Sequence, residues 1–229
     1  MKYNILLWDV DGTILDFSAA ERNAIRALFQ KYSLGECTDE MLAEYAKINV
    51  SYWKKVERKE ISRNEALVGR FRDFFSRHQL PVDVIVPFND DYQLALGDTL
   101  VFHDDAYVLL SSLKGVVRQY VITNGTKAAQ QKKLRQGNLL SVFDGIFISE
   151  DVGYDKPSVE YFSFVKKNIP GFSEEKALVI GDSLTSDIRG GNNAGIDTCW
   201  YNPEGKENDQ GVSVTHMIRN LNEIPSLLQ

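Results

Sequence analysis

Apolar residues follow two different spacings along this chain. Over 21–32, 39–57 and 64–79 they recur at intervals of three and four, which predicts helices that each bury one stripe. Elsewhere they form short unbroken runs: Ile5 to Trp8, then runs near 119–123, 144–148, 177–181 and 197–201, with a last short one near 213–217. Unbroken runs bounded by glycine turns predict strands buried on both faces, and from Asp104 onward they alternate with helical segments. The expected architecture is a doubly wound, Rossmann-like parallel α/β sheet made from residues 1–16 and 98–229. Residues 17–97 are expected to form an all-helical insert, its later part punctuated by Pro81, Pro87 and Gly97-Asp98.

Parallel α/β sheets bind ligands beyond the carboxyl ends of their strands, so the polar residues at those ends are the candidate chemistry. The first run passes straight into Asp9-Val10-Asp11-Gly12-Thr13. Two carboxylates about 4 Å apart at an effective dielectric constant of about 20 repel by roughly 4 kcal/mol, so a positive group is expected beside them. A hard divalent cation such as Mg²⁺, or a lysine from elsewhere in the chain, would serve. Taken alone, the segment also suits an ordinary turn, where Asp and Gly are common.

A second run ends in Thr123-Asn124-Gly125 ahead of a helical stretch from Thr126 to Arg135, which brings a hydroxyl, turn N–H groups and a helix start together. That arrangement can hold an anion or simply cap the helix. At Lys156-Pro157 the proline disfavours helical backbone at the lysine and is suited to open the following helix. A later run delivers Gly181-Asp182-Ser183 and, five residues after Asp182, Asp187 at the start of another helix. Asp187 also suits the positive end of that helix, whereas Asp182 has no such local reason for its place.

Formal charge links these segments. Asp9, Asp11, Asp182 and Asp187 gathered around Lys156 would carry a net charge of three minus, a poor host for a phosphate dianion. One Mg²⁺ lowers this to one minus, and a proton on Asp11, the form needed to protonate a leaving oxygen, brings it to zero.

The order Asp-x-Asp-Gly-Thr, strand-terminal Thr, Lys-Pro and Gly-Asp-Ser-x-x-x-Asp resembles the haloacid dehalogenase-like (HAD) superfamily of phosphohydrolases over the whole chain. The resemblance implies that Asp9 is the nucleophile, forming an aspartyl-phosphate, and that Asp11 is the general acid that later activates water. It implies Thr123 and Lys156 as catalytic residues that hold the phosphate, together with Asn124. One Mg²⁺ per active site would be held by the Asp9 carboxylate, the Asp11 backbone carbonyl and Asp182, with Asp187 supporting the metal or its water. An acid two residues beyond the nucleophile suits phosphatases and phosphomutases, whose alkoxide leaving group must be protonated, and argues against dehalogenation. The helical insert resembles the superfamily's first class of cap, which implies that substrate specificity resides there.

Finer resemblance comes from Ile148 to Gly153 and from Gly190 to Gly195 with Thr198-Cys199-Trp200, which are similar to the YjjG/YfnB-type pyrimidine 5′-nucleotidases. This implies a phosphomonoesterase acting on a nucleoside 5′-monophosphate, with Asn49, Trp53, Arg70 and Phe71 of the insert as substrate contacts. Trp53 and Phe71 suit stacking on a base and Asn49 suits its hydrogen-bonding edge, although aromatics in helical bundles more often pack in the core. Asp155 departs from the small residue expected before the lysine. A phosphatase for phosphoglycolate or a sugar phosphate, a phosphomutase, or a non-catalytic module binding a phosphorylated ligand would share the core motifs.

Composition narrows the partners. A net charge of −6 over 229 residues disfavours nucleic-acid polymers and anionic membranes, and leaves a small phosphorylated metabolite. Cys37 and Cys199 cannot form a disulfide scaffold, the first strand starts too early to follow a signal peptide, and no apolar run is long enough to cross a bilayer. A cytoplasmic monomer or homodimer is the expectation.

Overall fold

The computed structural model describes every residue from Met1 to Gln229, and the chain divides into two compact units. One joins Met1–Asp16 to Val101–Gln229, and the other is Phe17–Leu100. In the first unit the strands β1 (Ile5–Trp8), β2 (Arg118–Thr123), β3 (Gly145–Ile148), β4 (Ala177–Gly181), β5 (Asp197–Tyr201) and β6 (His216–Ile218) form one sheet in the order β3-β2-β1-β4-β5-β6. Every neighbouring pair is parallel. The chain steps outward from β1 to β3 and then returns to β4 on the other side of β1, so the order reverses at the β1/β4 boundary, where doubly wound sheets open a crevice.

Helices α1 (Phe17–Lys31), α2 (Asp39–Glu57), α3 (Arg63–Arg77) and α4 (Ile85–Ala95) build the second unit. Helices α5 (Ala106–Leu113), α6 (Lys127–Gln136), α7 (Ser149–Val152), α8 (Val159–Asn168), α9 (Arg189–Ala194) and α10 (Ile224–Leu227) belong to the first. On one face of the sheet Ile5, Leu7, Tyr120, Ile122 and Val179 pack with Tyr161, Phe162 and Val165 of α8. The intervening residues Leu6, Trp8, Val121, Leu178 and Ile180 are buried as well, so both faces are covered and the strands read as unbroken apolar runs. Cys199 is buried in β5, and both cysteines are free thiols. No helix is long and apolar enough to cross a membrane.

Three local expectations change. Pro87 does not interrupt a helix but sits in the first turn of α4, where backbone N–H groups have no intrahelical partner to lose. Pro157 does not open α8: Ser158 is the cap, its hydroxyl accepting from Tyr161 N at 3.2 Å, and the Lys156–Pro157 peptide is cis. The last strand starts only at His216, because Ser213 and Thr215 are held by side chains, with Asn192 Oδ1 accepting from Ser213 N and Thr215 Oγ1 accepting from Thr198 N.

The helical unit has an aromatic centre into which a polar chain is threaded. Tyr45 stacks on Phe71 with ring centroids 5.0 Å apart, and Phe74, Phe75, Phe88 and Tyr92 surround them edge-on. Through this centre Asn49 Nδ2 donates to Glu21 Oε1 at 2.7 Å, and Asn49 Oδ1 accepts from Arg70 at 2.8 Å. Arg70 also donates to Asn89 Oδ1 at 3.2 Å, which accepts from Gln93 Nε2 at 3.1 Å. The Asn49 carboxamide thus stands between a buried carboxylate and a buried guanidinium.

Burial pushes the Glu21 carboxyl up from 4.5 to about 7, against the lowering effects of its Asn49 hydrogen bond and the Arg70 charge. The folded state therefore holds a proton that the unfolded chain releases, so this contribution to stability is complete below about pH 4.5 and is lost as pH rises through about 7. Glu21→Gln should remove that decline, narrowing the wild-type stability difference between pH about 5 and about 8 by up to about 3 kcal/mol. Urea denaturation at several pH values checks this, and parallel profiles for the two proteins would contradict it.

Candidate active site

The sheet register brings the distant motifs together. Trp8 pairs with Val121 on one side and Ile180 on the other, and Asp9 N continues the ladder by donating to Ile180 O at 2.9 Å. Asp9 thus leaves β1 beside the end of β4, where Asp182 follows, and beside the end of β2, where Thr123 sits. After Asp9 the chain turns tightly, Ile14 N and Leu15 N both donating to Val10 O. Gly12 occupies that turn at φ +97, and a Cβ there would lie 2.6 Å from Asp182 Oδ2. Only glycine combines that backbone angle with so close an approach to the carboxylate.

Lys156 is the hub. Its ammonium, 1% exposed, donates to Asp9 Oδ1 at 2.8 Å, Asp187 Oδ1 at 2.7 Å and the Ile122 carbonyl at 2.8 Å, satisfying all three donors. Its backbone is clamped by Asn124, whose Nδ2 donates to Lys156 O and whose Oδ1 accepts from Lys156 N, both at 2.8 Å. The side chain of Asn124, expected to meet phosphate, is therefore spent on placing the lysine. Thr123 is buried, and its Oγ1 accepts from Gly125 N at 3.0 Å.

Asp9, Asp182 and Asp187 each offer a carboxylate oxygen, all within 4.8 Å of one another. Asp187 lies in a turn of π-helix, Leu184–Ile188, a feature common at functional sites, and its Oδ2 accepts from Ser183 N at 3.2 Å. With Oδ1 on Lys156 as well, Asp187 is the internally bonded member of the three, and Asp182 is the solvent-exposed one. Trp200 Nε1 fixes the Asp182 carbonyl at 2.9 Å, and Thr13 Oγ1 donates to Asp9 Oδ2 at 3.1 Å. A donor set made only of carboxylate oxygens suits a hard divalent cation.

The electrostatics agree with that reading. Burial raises Asp9 to about 7, Lys156 opposes the rise, and Asp187 and Asp11 add to it. Lost hydration and repulsion from Asp9 and Asp187 hold Asp182 well above the ordinary carboxylate range, the repulsion counting for more because the side chain keeps access to solvent. Burial works against the charge of Lys156, but Asp187 and Asp9 outweigh it and hold the ammonium above its ordinary value.

Of the insert residues, Asn49 and Arg70 are bonded to each other inside the helical unit, each 2% exposed, and Trp53 is half-buried on α2. Phe71 is wholly buried in the aromatic centre, so packing rather than base stacking is its use in this structure. Sequence reading missed Gln130 and Lys133. Gln130 Nε2 donates to Asp11 Oδ2 at 2.6 Å, and Lys133 pairs with the other oxygen. The available signal was their spacing: they share the buried stripe of α6 with Ala129 and Leu134.

The HAD-hydrolase YfnB of Bacillus subtilis (strain 168) is 40% identical over 227 residues, covering 99% of this chain and 96% of YfnB. Its crystal structure, bound to magnesium, superposes with a TM-score of 0.93 over 100% of this chain and 99% of that one. The pyrimidine 5′-nucleotidase PynA of Streptococcus pneumoniae (strain ATCC BAA-255 / R6) is 39% identical, over 95% of this chain and 92% of PynA. The pyrimidine 5′-nucleotidase YjjG of Escherichia coli (strain K12) is 29% identical, over 100% and 99%. Residues 3–195 match the family model for haloacid dehalogenase-like hydrolases, and the chain belongs to that family.

Proposed function

We propose that this chain is a Mg²⁺-dependent phosphomonoesterase that works through an aspartyl-phosphate on Asp9, with a pyrimidine nucleoside 5′-monophosphate as substrate. The observation that carries the chemistry is the buried Lys156 ammonium on Asp9, beside a cluster of carboxylate oxygens at the sheet's switch point. The substrate class rests on the likeness to PynA and YjjG. Mg²⁺ is the cofactor that fits the all-oxygen donors Asp9, Asp182 and the Asp11 carbonyl, with Asp187 in support, and the YfnB structure was solved with magnesium. When bound, it offsets the negative charge that the acids would otherwise set against a phosphate.

In the first half-reaction an Asp9 oxygen attacks phosphorus, the bond from phosphorus to the ester oxygen breaks, and Asp11 gives its proton to that oxygen. In the second, water loses a proton to Asp11 and attacks the same phosphorus, releasing phosphate and restoring the Asp9 carboxylate. Lys156, by redirecting the N–H now on Asp9 to a phosphoryl oxygen, and the Thr123 hydroxyl hold the phosphoryl group, and splitting the reaction this way replaces one difficult step with two easier ones. The helical unit is the source of substrate specificity in this reading, with Asn49, Arg70 and the half-buried Trp53 as its polar and stacking groups.

Asp9→Asn should cut phosphate release by about 10⁴-fold or more with an unchanged circular dichroism spectrum, and substantial residual turnover would remove the nucleophile assignment. In the first half-reaction, followed by first-turnover release of the leaving group, Asp11→Asn should slow a nucleoside monophosphate by about 10²–10⁴-fold but leave Asp9 phosphorylatable by para-nitrophenyl phosphate to within about tenfold, since that leaving group needs no proton. Equal losses on both would refute the acid role. Because Asp9 titrates near 7 without metal, Mg²⁺ affinity should fall as pH drops from about 8 to about 6, with proton release on binding. Calorimetry in buffers of different ionisation enthalpy measures both, and a pH-independent affinity would contradict the ligand set. A screen of phosphorylated metabolites ranked by kcat/KM tests the substrate class; preference for a sugar phosphate or phosphoglycolate would displace it.

A further inference from the structure

Asp11 is gripped by a helix that none of the four motifs includes. Gln130 and Lys133 lie three apart on α6 and present their polar ends to one carboxylate, Gln130 Nε2 to Oδ2 at 2.6 Å and the Lys133 ammonium to Oδ1. They are 0% and 1% exposed, and sealing a glutamine and a lysine inside a helix's packing face is costly unless their polar groups are used. The backbone makes room for the contact. A Cβ on Gly125, in the turn that follows Thr123, would fall 2.1 Å from Gln130 Nε2. Gln130 Oε1 is buried without a hydrogen-bond partner, so the carboxamide keeps its donor on Asp11 although its acceptor goes unsatisfied.

We propose that Gln130 and Lys133 are positioning residues for the proton-transferring Asp11, holding the carboxylate by both oxygens and fixing where it delivers and receives its proton. This rests on the reading of Asp11 as general acid and base. Each carboxylate oxygen can accept two hydrogen bonds, so one donor on each leaves a place for the transferred proton. The two buried lysines then divide three of the four acids between them. Lys156 serves Asp9 and Asp187, and Lys133 serves Asp11.

The test uses the full chain with Mg²⁺ and compares Lys133→Met, Gln130→Leu and Asp11→Asn by the rate of the first half-reaction, read as leaving group released in the first turnover, on a nucleoside 5′-monophosphate and on para-nitrophenyl phosphate. Lys133→Met should lower that rate on the nucleotide by about ten- to a hundred-fold, the range for groups that orient a reacting residue. On para-nitrophenyl phosphate, which needs no proton, the loss should stay below about threefold. Gln130→Leu should change the same ratio in the same direction by less. Should Lys133→Met fail to fold, by circular dichroism and melting, the Gln130→Leu ratio decides. If Asp11→Asn discriminates between the substrates and the α6 variants do not, the positioning role is overturned while the general-acid reading stands. If Asp11→Asn itself shows no discrimination, the general-acid reading falls and takes the positioning role with it.

Discussion

The ammonium of Lys156, buried and bonded to Asp9 and Asp187 at once, is the contact on which the chemistry of the first unit depends. Asp9, Asp182 and Asp187 have oxygens within 4.8 Å of one another at the end of a sheet covered on both faces. Unit charges about 4 Å apart repel by roughly 4 kcal/mol even at an effective dielectric constant of about 20. Without an internal cation the buried acids would take up protons, and a protonated Asp9 is no nucleophile. The lysine offsets only part of the cost of burial and of that repulsion, which is why Asp9 still sits near 7 and why the cluster retains affinity for a further, harder cation.

Lys156 does this because the sheet order and the loop geometry both converge on it. β1 lies between β2 and β4, so residues 9, 123 and 182, far apart in the chain, emerge side by side. The lysine comes from the loop between α7 and α8, and the reciprocal hydrogen bonds of Asn124 tie that loop to the end of β2. A residue of a candidate phosphate site thus also orients the cation that answers the nucleophile. A substitution at Asn124 would reach Asp9 through the position of the lysine.

The parts of this design that were legible in the sequence are those with a local signature. Strands buried on both faces leave unbroken apolar runs, and acids at their ends stand out against them, so Asp9, Asp182 and the alternation of strands and helices could be read directly. The π-helical turn that places Asp187 has no such mark, nor does the use of Asn124 as a clamp, because both depend on what lies opposite in space. α4 was hidden by Pro87, whose meaning reverses between the first turn and the interior of a helix. Gln130 and Lys133 were overlooked because polar residues on a helical stripe read as solvated until a partner for them is known. Phe71 shows the converse, an aromatic residue whose surroundings and not its type decide between packing and recognition.

The two units bury polar groups by different rules, and the difference bears on how each can change. In the first unit opposite charges touch directly, so removing one partner strands the other. In the helical unit Glu21, Asn49, Arg70 and Asn89 come one from each of four helices and are joined mainly through carboxamides. Sliding any one helix past its neighbours would break a hydrogen bond and leave a buried polar atom unsatisfied. The surrounding rings, held by non-directional packing, would tolerate the same shift far better. The polar chain therefore sets the relative position of the four helices within an otherwise permissive aromatic core. Substitutions at Asn49 or Arg70 would move helices as well as remove functional groups, so an altered substrate preference in such variants has to be separated from a shift in the bundle before it is assigned to direct contact.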